Sequence, residues 1–576
     1  MPTIRLILIL LGCITLCALA CAQETAVYSS GAGEAALRFT VTRDGLSSIT
    51  LGGREVANGG WDAHDAGWLY GEKVATALFT ERRLEQLAND HVRVYHRGET
   101  FTTTCDYLFN GEDVHIKARV ENNGDKPIKA ISLEGLDFHF QKDPAGYLQS
   151  WDTGLLTRFA GLRRGFHPSF ETLLGGSYAY DGFVGVGLSP RYSELTQTLF
   201  WWSKKKSLHY LVLAPIPAGG ALTYEMVMRV SRDGTWKHLL EPYKAHFLAT
   251  FGPVRYKADY RPFGQYMAAD GRHGGPDTDN PSRWNWFRFD RAEGGKPGGM
   301  KEFAQLSVSM LQRANAQGII VWCMNGYNDR GANFRPDFDV FPPEAEANIP
   351  IFRDTFAKAG LKMGALGRPG EFPIPVAWGK DGVIRLIPEE TPIPNPDQLS
   401  QLGVVCKRFT YMRQLGFSLF YLDTFGADMN DIKSMQRFRE VLGPDVLTFS
   451  EFWTDVFLVY SGAYCQLGWN DTTPEPEEGA PPQEIKGAYR EFWNRLQIWD
   501  MMRWLLPGVQ AAAPANLSGM PSTKKLPEGT PTPCRFLYQH GITPMFYIST
   551  SSSERTADEL KKLSMEFLDD KGQYKQ

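Results

Sequence analysis

A chain of 576 residues is too long for one hydrophobic core, so two or more domains are expected. A hydrophobic fraction of 43% fits a globular protein, and 13% aromatic residues leave many faces on which sugar rings can stack. A net charge of −4 gives no basic footprint for nucleic acid. The chain also holds no P-loop, no dinucleotide-binding glycine fingerprint after a strand, no His-Glu-x-x-His and no paired Cys-x-x-Cys, so neither a cofactor nor a metal is expected.

The first 22 residues read as a targeting segment. Arg5 precedes the apolar run Leu6 to Leu11, and small residues follow up to Ala22. This is a signal-peptide layout, too short to span a membrane. Ala20-Cys21-Ala22 fits a small-x-small cleavage site before Gln23. Ala18-Leu19-Ala20-Cys21 loosely resembles a bacterial lipoprotein box, with Leu one place later than that pattern prefers, so Cys21 is a candidate lipid anchor. Either route exports the mature protein to the periplasm, the medium or a membrane-anchored state. Beyond the leader only Cys105, Cys323, Cys406, Cys465 and Cys534 remain. An odd count leaves at least one thiol free, a disulfide framework is not implied, and no His is spaced to join them around a metal.

Residues 23–255 are strand-rich. Leu37-Arg38-Phe39-Thr40-Val41-Thr42 alternates, turns at Asp44-Gly45 and resumes through Ser48 to Leu51, a hairpin signal. Phe101 to Phe109, Val114 to Val120 and Ile128 to Phe140 are further strands, the last two joined by a polar Glu121-to-Pro127 turn. Repeated short strands with such turns predict a β-sandwich. His64, His91, His96, His115 and His139 are scattered through it and read as structural or surface residues. An amphipathic helix from Leu239 then stops at Gly252-Pro253, which marks the boundary.

Residues 256–576 alternate strands and helices. Eight strands are predicted at Phe263 to Ala268, Gly318 to Met324, Lys362 to Leu366, Ser418 to Asp423, Leu447 to Phe452, Tyr464 to Trp469, Gly508 to Ala513 and Thr543 to Ile548. Helical stretches at Lys301 to Gln317, Ala345 to Ala359, Gln398 to Gln414, Asn430 to Val441, Gln483 to Leu506 and Ser552 to Asp569 separate most of them or close the chain. Eight strand–helix units match a (β/α)8 TIM barrel, with an open doubly wound sheet as the runner-up.

Two acids end neighbouring strands of that barrel. The apolar run Leu419-Phe420-Tyr421-Leu422 ends on Asp423, and Leu447-Thr448-Phe449-Ser450 ends on Glu451, 28 residues on. Barrel chemistry sits at the carboxyl ends of the strands, and glycoside hydrolysis needs two carboxyl groups flanking the scissile bond. Asp423 could instead cap the next helix or pair with an Arg. Glu451 could serve as an Arg partner or a ligand for a substrate hydroxyl.

A sandwich followed by a barrel with Phe420-Tyr421-Leu422-Asp423 on its fourth strand resembles the retaining α-glycosidase barrels. These include the α-galactosidase, α-glucosidase and endo-α-N-acetylgalactosaminidase-like families, and the sandwich is similar to the galactose-mutarotase-like type. The resemblance implies that Asp423 is the nucleophile and Glu451 the acid/base.

Other strand-end residues suit a sugar site, because C–H faces of sugars pack on aromatic rings and hydroxyls bind Asp, Asn and Arg. They are Asp270, Arg272 and His273, with Trp284 and Trp286 in the following loop; Trp322, Asn325, Asp329 and Arg330; Arg368 and Glu371; and Trp453, Trp469 and Asn470. Asp277 and Asp279 could hold Ca²⁺ but read more simply as a turn. The sequence thus predicts an exported, retaining glycoside hydrolase acting on an α-linked oligo- or polysaccharide. Two alternatives remain. A non-catalytic carbohydrate-binding protein on a degenerate barrel would keep the aromatic rim but misplace or occupy Glu451. A polysaccharide lyase would use Tyr421 as base beside Arg368.

Overall fold

The computed structural model describes residues 24–65, 79–142, 144–147, 175–191, 198–202, 207–212, 214–267, 300–322, 343–367, 369, 376–378, 384–386, 402–423, 425–426, 429–464, 499–515, 532–548 and 551–575. The leader with Cys21, and also Cys323 and Cys465, lie outside them. The chain divides between Thr250 and Phe251 into two units. Among the described residues no helix is long and apolar enough to cross a membrane.

The first unit is a pair of antiparallel sheets, of seven and eight strands among the described residues. Alternation does the folding. In Asp113–Asn122 every second residue is buried, and Val114, Ile116, Ala118 and Val120 enter one apolar core with Phe39, Val41, Tyr107 and Met228. The predicted hairpin is present as Leu37–Thr42 paired with Gly45–Leu51. Gly45 sits at φ +94°, a backbone state that suits glycine, and a Cβ there would strike the Trp61 carbonyl. The histidines serve the sandwich itself: His91 meets Asp106 at 2.9 Å, His96 the Arg43 carbonyl at 2.5 Å, and His115 meets Glu225 at 3.0 Å.

The second unit is a closed parallel barrel of eight strands. They are β1 Phe263–Met267, β2 Gly318–Trp322, β3 Lys362–Gly367, β4 Phe417–Leu422, β5 Leu447–Ser450, β6 Gly462–Tyr464, β7 Ala511–Pro514 and β8 Ile542–Tyr547. The helices that matter below are α1 Met300–Arg313, α2 Pro343–Lys358, α3 Leu402–Gln414, α4 Met429–Leu442, α5 Pro533–Gln539 and α6 Ser551–Phe567. Most of the predicted helix Gln483 to Leu506 lies outside the described residues.

The boundaries that moved have local causes. Helix α1 stops at Arg313 rather than Gln317 because Asn315 adopts φ +53° and the Ala316 N–H bonds back to the Leu311 carbonyl. Strand β7 starts at Ala511 rather than Gly508. Gly508 is in the left-handed region, Val509 N–H turns back to Leu506 O, and Gln510 N–H donates to the Tyr256 hydroxyl. Strand β5 ends at Ser450 rather than Phe452, because the chain there is drawn to the loop after β4. The Ser450 hydroxyl donates to Phe425 O at 2.5 Å, and Phe452 N–H donates to the same oxygen at 3.0 Å.

The amino ends of the strands are closed by buried polar groups. Asp259 takes a two-point contact from Arg261, at 3.0 and 2.7 Å, and accepts from Lys362 Nζ at 2.9 Å. Gln317 and Gln510 each donate through Nε2 to the Asp259 carbonyl, and Gln510 also reaches Thr543 Oγ1 at 2.9 Å. This end reads as the stability face of the barrel, which leaves the opposite end for chemistry.

Candidate active site

The direction of each side chain follows from the two-residue period of a strand. On β4, Phe420 meets Phe409 of α3 edge-on at 5.3 Å and so faces the helix layer, while Leu419 and Tyr421 fill the interior. On β5, Thr448 accepts from Arg439 of α4, whereas Leu447 and Phe449 point inward. Asp423 and Glu451 continue the two inward series. The ladders run one residue past both strand ends: Asp423 N–H donates to Gly367 O at 2.8 Å and Glu451 N–H to Leu422 O at 2.9 Å. The β4–β5 register pairs Leu422 with Ser450, so the next residues, Asp423 and Glu451, stand side by side at the carboxyl end of the barrel. Both are buried, at 7% and 9% exposure.

The turns after these strands are locked together. Gly426 lies at φ +106°, and a Cβ there would come within 1.9 Å of the Phe452 carbonyl oxygen. Its N–H donates to Asp431 in the first turn of α4 at 2.9 Å. The stretches around residues 425–426 and 450–452 therefore touch main chain to main chain.

Aromatic rings pack in the barrel interior beneath these strand ends and in the turn after β5. Trp322, on β2, packs on Tyr421 at 4.4 Å, and Tyr421 meets Tyr464 edge-on at 4.8 Å within the barrel interior. Trp453, two residues after Glu451, is 2% exposed and meets Trp499 edge-on at 6.1 Å. Of the predicted sugar-site residues, Asp423, Glu451, Trp322 and Trp453 are thus located. Asp270, Arg272, His273, Trp284, Trp286, Asn325, Asp329, Arg330, Arg368, Glu371, Trp469 and Asn470, and also Asp277 and Asp279, lie outside the described residues. Among the described residues no group of three His, Cys, Asp or Glu side chains is arranged to hold a metal ion.

One inward polar residue escaped the sequence reading. Gln265, on β1, is 3% exposed, and its carboxamide Nε2 has no hydrogen-bond partner among the described residues. Its neighbours fix its direction. Tyr266 packs on Phe303 of α1 at 4.4 Å, and a Cβ on Gly264 would strike Ile548 and Leu311, so 264 and 266 face outward and 265 inward. A polar residue at inward parity within a buried strand was the available signal.

No protein-family model and no curated protein matches the chain. Solved structures do resemble it. A family 31 sulfoquinovosidase from E. rectale, in complex with an aza-sugar inhibitor, superposes with a TM-score of 0.50 at 11% identity, over 93% of this chain and 81% of that one. An α-N-acetylgalactosaminidase from Bifidobacterium bifidum gives 0.48 at 8% identity, over 94% and 91%. An α-galactosidase from Geobacillus stearothermophilus gives 0.46 at 11% identity, over 93% and 86%. At such identities the likeness is one of fold. The chain carries an α-glycosidase-like fold, a β-sandwich followed by a (β/α)8 barrel.

Proposed function

We propose that the protein is an exported glycoside hydrolase that cleaves α-linked glycosides with retention, with Asp423 as nucleophile and Glu451 as acid/base. The observation that carries this reading is the register that sets Asp423 beside Glu451, both inward and buried at the carboxyl end of the barrel. Neighbouring strands lie about 4.8 Å apart. In-register side chains therefore fit the roughly 5–5.5 Å between carboxyl groups of a retaining pair better than the roughly 6.5–9.5 Å of an inverting one. The α-linkage rests on the resemblance of the Phe420-to-Asp423 strand to the retaining α-glycosidases. Export rests on the leader, with Cys21 as the candidate anchor.

Asp423 attacks the anomeric carbon while Glu451 gives its proton to the departing glycosidic oxygen, which leaves a glycosyl ester on Asp423. Glu451, now ionised, takes a proton from water. The resulting nucleophile attacks the same carbon, and the Asp423 carboxylate departs. Low exposure of both acids keeps bulk water from competing at the first step. The lyase alternative loses support, because the ring of Tyr421 is packed between Trp322 and Tyr464 one layer below the acids.

The test is hydrolysis of aryl α- and β-glycosides and of α-linked oligosaccharides by the wild type, Asp423→Ala and Glu451→Ala. Activity on one α-glycoside should fall by about 10³-fold or more in Asp423→Ala. In Glu451→Ala, azide should restore turnover of a substrate with a good leaving group. Undiminished hydrolysis by Asp423→Ala would sink the mechanism, and silence of the wild type across both panels would sink the activity.

A further inference from the structure

The barrel interior is built in layers of side chains from alternate strands. Phe263 of β1 and Phe449 of β5, on opposite sides of the barrel, stack at 5.1 Å. They belong to one layer. Two residues further toward the mouth, about 6.6 Å along each strand, stand Gln265 and Glu451. Both are inward by parity, so the floor of the site holds a carboxamide facing a carboxylate, with Asp423 beside the latter in register.

Gln265 is out of place as a packing residue. A buried carboxamide donor without an acceptor is costly, and native interiors rarely keep one. At the other end of the same barrel, both buried glutamines, Gln317 and Gln510, are fully engaged. The unengaged one is the one in the layer of Glu451. A sugar hydroxyl oxygen seated over the floor would supply the missing acceptor.

Resting on the hydrolase reading, we propose that Gln265 is a substrate-binding residue whose carboxamide N–H donates to one ring hydroxyl of the sugar held over Asp423. It selects for glycosides that carry that hydroxyl and against their deoxy counterparts. Because the bond forms to a group that does not react, it holds ground state and transition state alike. Its loss should therefore raise KM more than it lowers kcat.

The experiment compares wild type, Gln265→Met and Gln265→Glu on the 4-nitrophenyl α-glycoside that the wild type cleaves and on its monodeoxy series. Saturation-transfer NMR with free glucose, galactose and N-acetylgalactosamine runs in parallel. Gln265→Met keeps the volume and removes the unpaired donor. Its melting temperature should hold or rise, while kcat/KM falls about tenfold, the scale of one hydrogen bond. The wild type should lose the same factor on one deoxy analogue, and Gln265→Met should lose nothing further on that analogue. A Gln265→Met enzyme as active as the wild type would overturn the assignment and leave the hydrolase reading standing, and so would equal losses by both enzymes on every deoxy analogue. A fall in melting temperature for both Gln265→Met and Gln265→Glu, with unchanged discrimination, would assign Gln265 to packing instead. A wild type that neither hydrolyses nor binds any of these sugars would overturn both readings.

Discussion

At Gly426 the position of two acids depends on one missing methyl group. A side chain there meets both a left-handed backbone and the Phe452 carbonyl, two costs that relaxation of a surface side chain cannot remove. Gly426→Ala should lower activity far more than stability alone explains, by about tenfold or more in kcat, since displacements near 1 Å at a reacting centre cost on the order of 10²-fold. Steady-state kinetics beside a melting curve checks this. A variant with wild-type kcat would show that the turns after β4 and β5 do not set the site. At this scale the placement of Asp423 and Glu451 was legible, because a carboxylate closing a buried apolar run is costly without a purpose or a partner and so stands out. Gln265 was not legible. In Phe-Gly-Gln-Tyr-Met the glutamine looks like an interruption until Tyr266 and Gly264 are seen to face the helices.

Helix α4 is fastened to β5 by one buried cation. Arg439 donates to the carbonyls of Tyr460, Gly443 and Val446 and to Thr448 Oγ1, at 2.6–3.0 Å, and lies over the Tyr256 ring at 5.5 Å. Burial pulls its pKa down to about 10. Arg439→Met leaves three carbonyls to find new donors, and should destabilise by roughly 2–4 kcal/mol, read from urea midpoints. A neutral result would mean that water replaces the guanidinium. At the amino ends of the strands, burial alone would raise the Asp259 carboxyl, but the Arg261 hydrogen bond and the Lys362 charge outweigh it and hold it below the ordinary value. Breaking this pair with Asp259→Asn should cost about 3–5 kcal/mol at neutral pH. A carboxylate held low in the folded state adds stability that is complete above its unfolded pKa near 3.9, and that is lost as pH falls through the folded value. The gap between wild type and Asp259→Asn should therefore close below about pH 4. A gap independent of pH would assign the effect to geometry rather than charge. The strand cores were readable from their apolar runs, but their ends were not. Gln510, Ser450 and Asn315 ended elements through bonds to residues distant in sequence or through one unusual φ.

The whole molecule comprises two units with separate cores. Every buried residue of the sandwich core falls between Ala26 and Val230, and the barrel's interior cluster runs from Tyr256 to Met545. Residues 24–250 expressed alone should therefore fold, with a β-rich circular dichroism spectrum and a cooperative thermal transition. A fragment lacking near-ultraviolet signal would show that the sandwich depends on the rest of the chain. Two-unit organisation was legible because the sequence period changes from two to helical spacing near Gly252-Pro253. The many long stretches between strand ends and helices were legible only as composition.

The contact between the turns after β4 and β5 also bears on how such a protein can change over generations. Under the retaining mechanism, the gap between two carboxyl groups decides whether a sugar leaves with its configuration kept or turned over. On the proposed mechanism that gap would depend on the main-chain contact between Gly426 and Phe452 as well as on the acids themselves. On that reading, side chains at the strand ends could be exchanged one at a time, and with them the sugar that is accepted. The stereochemical outcome is much harder to reach by single steps. A wider pair, with room for a water between sugar and base, would require both turns to be rebuilt at once, so a lineage on this scaffold would diversify in substrate long before it diversified in stereochemistry.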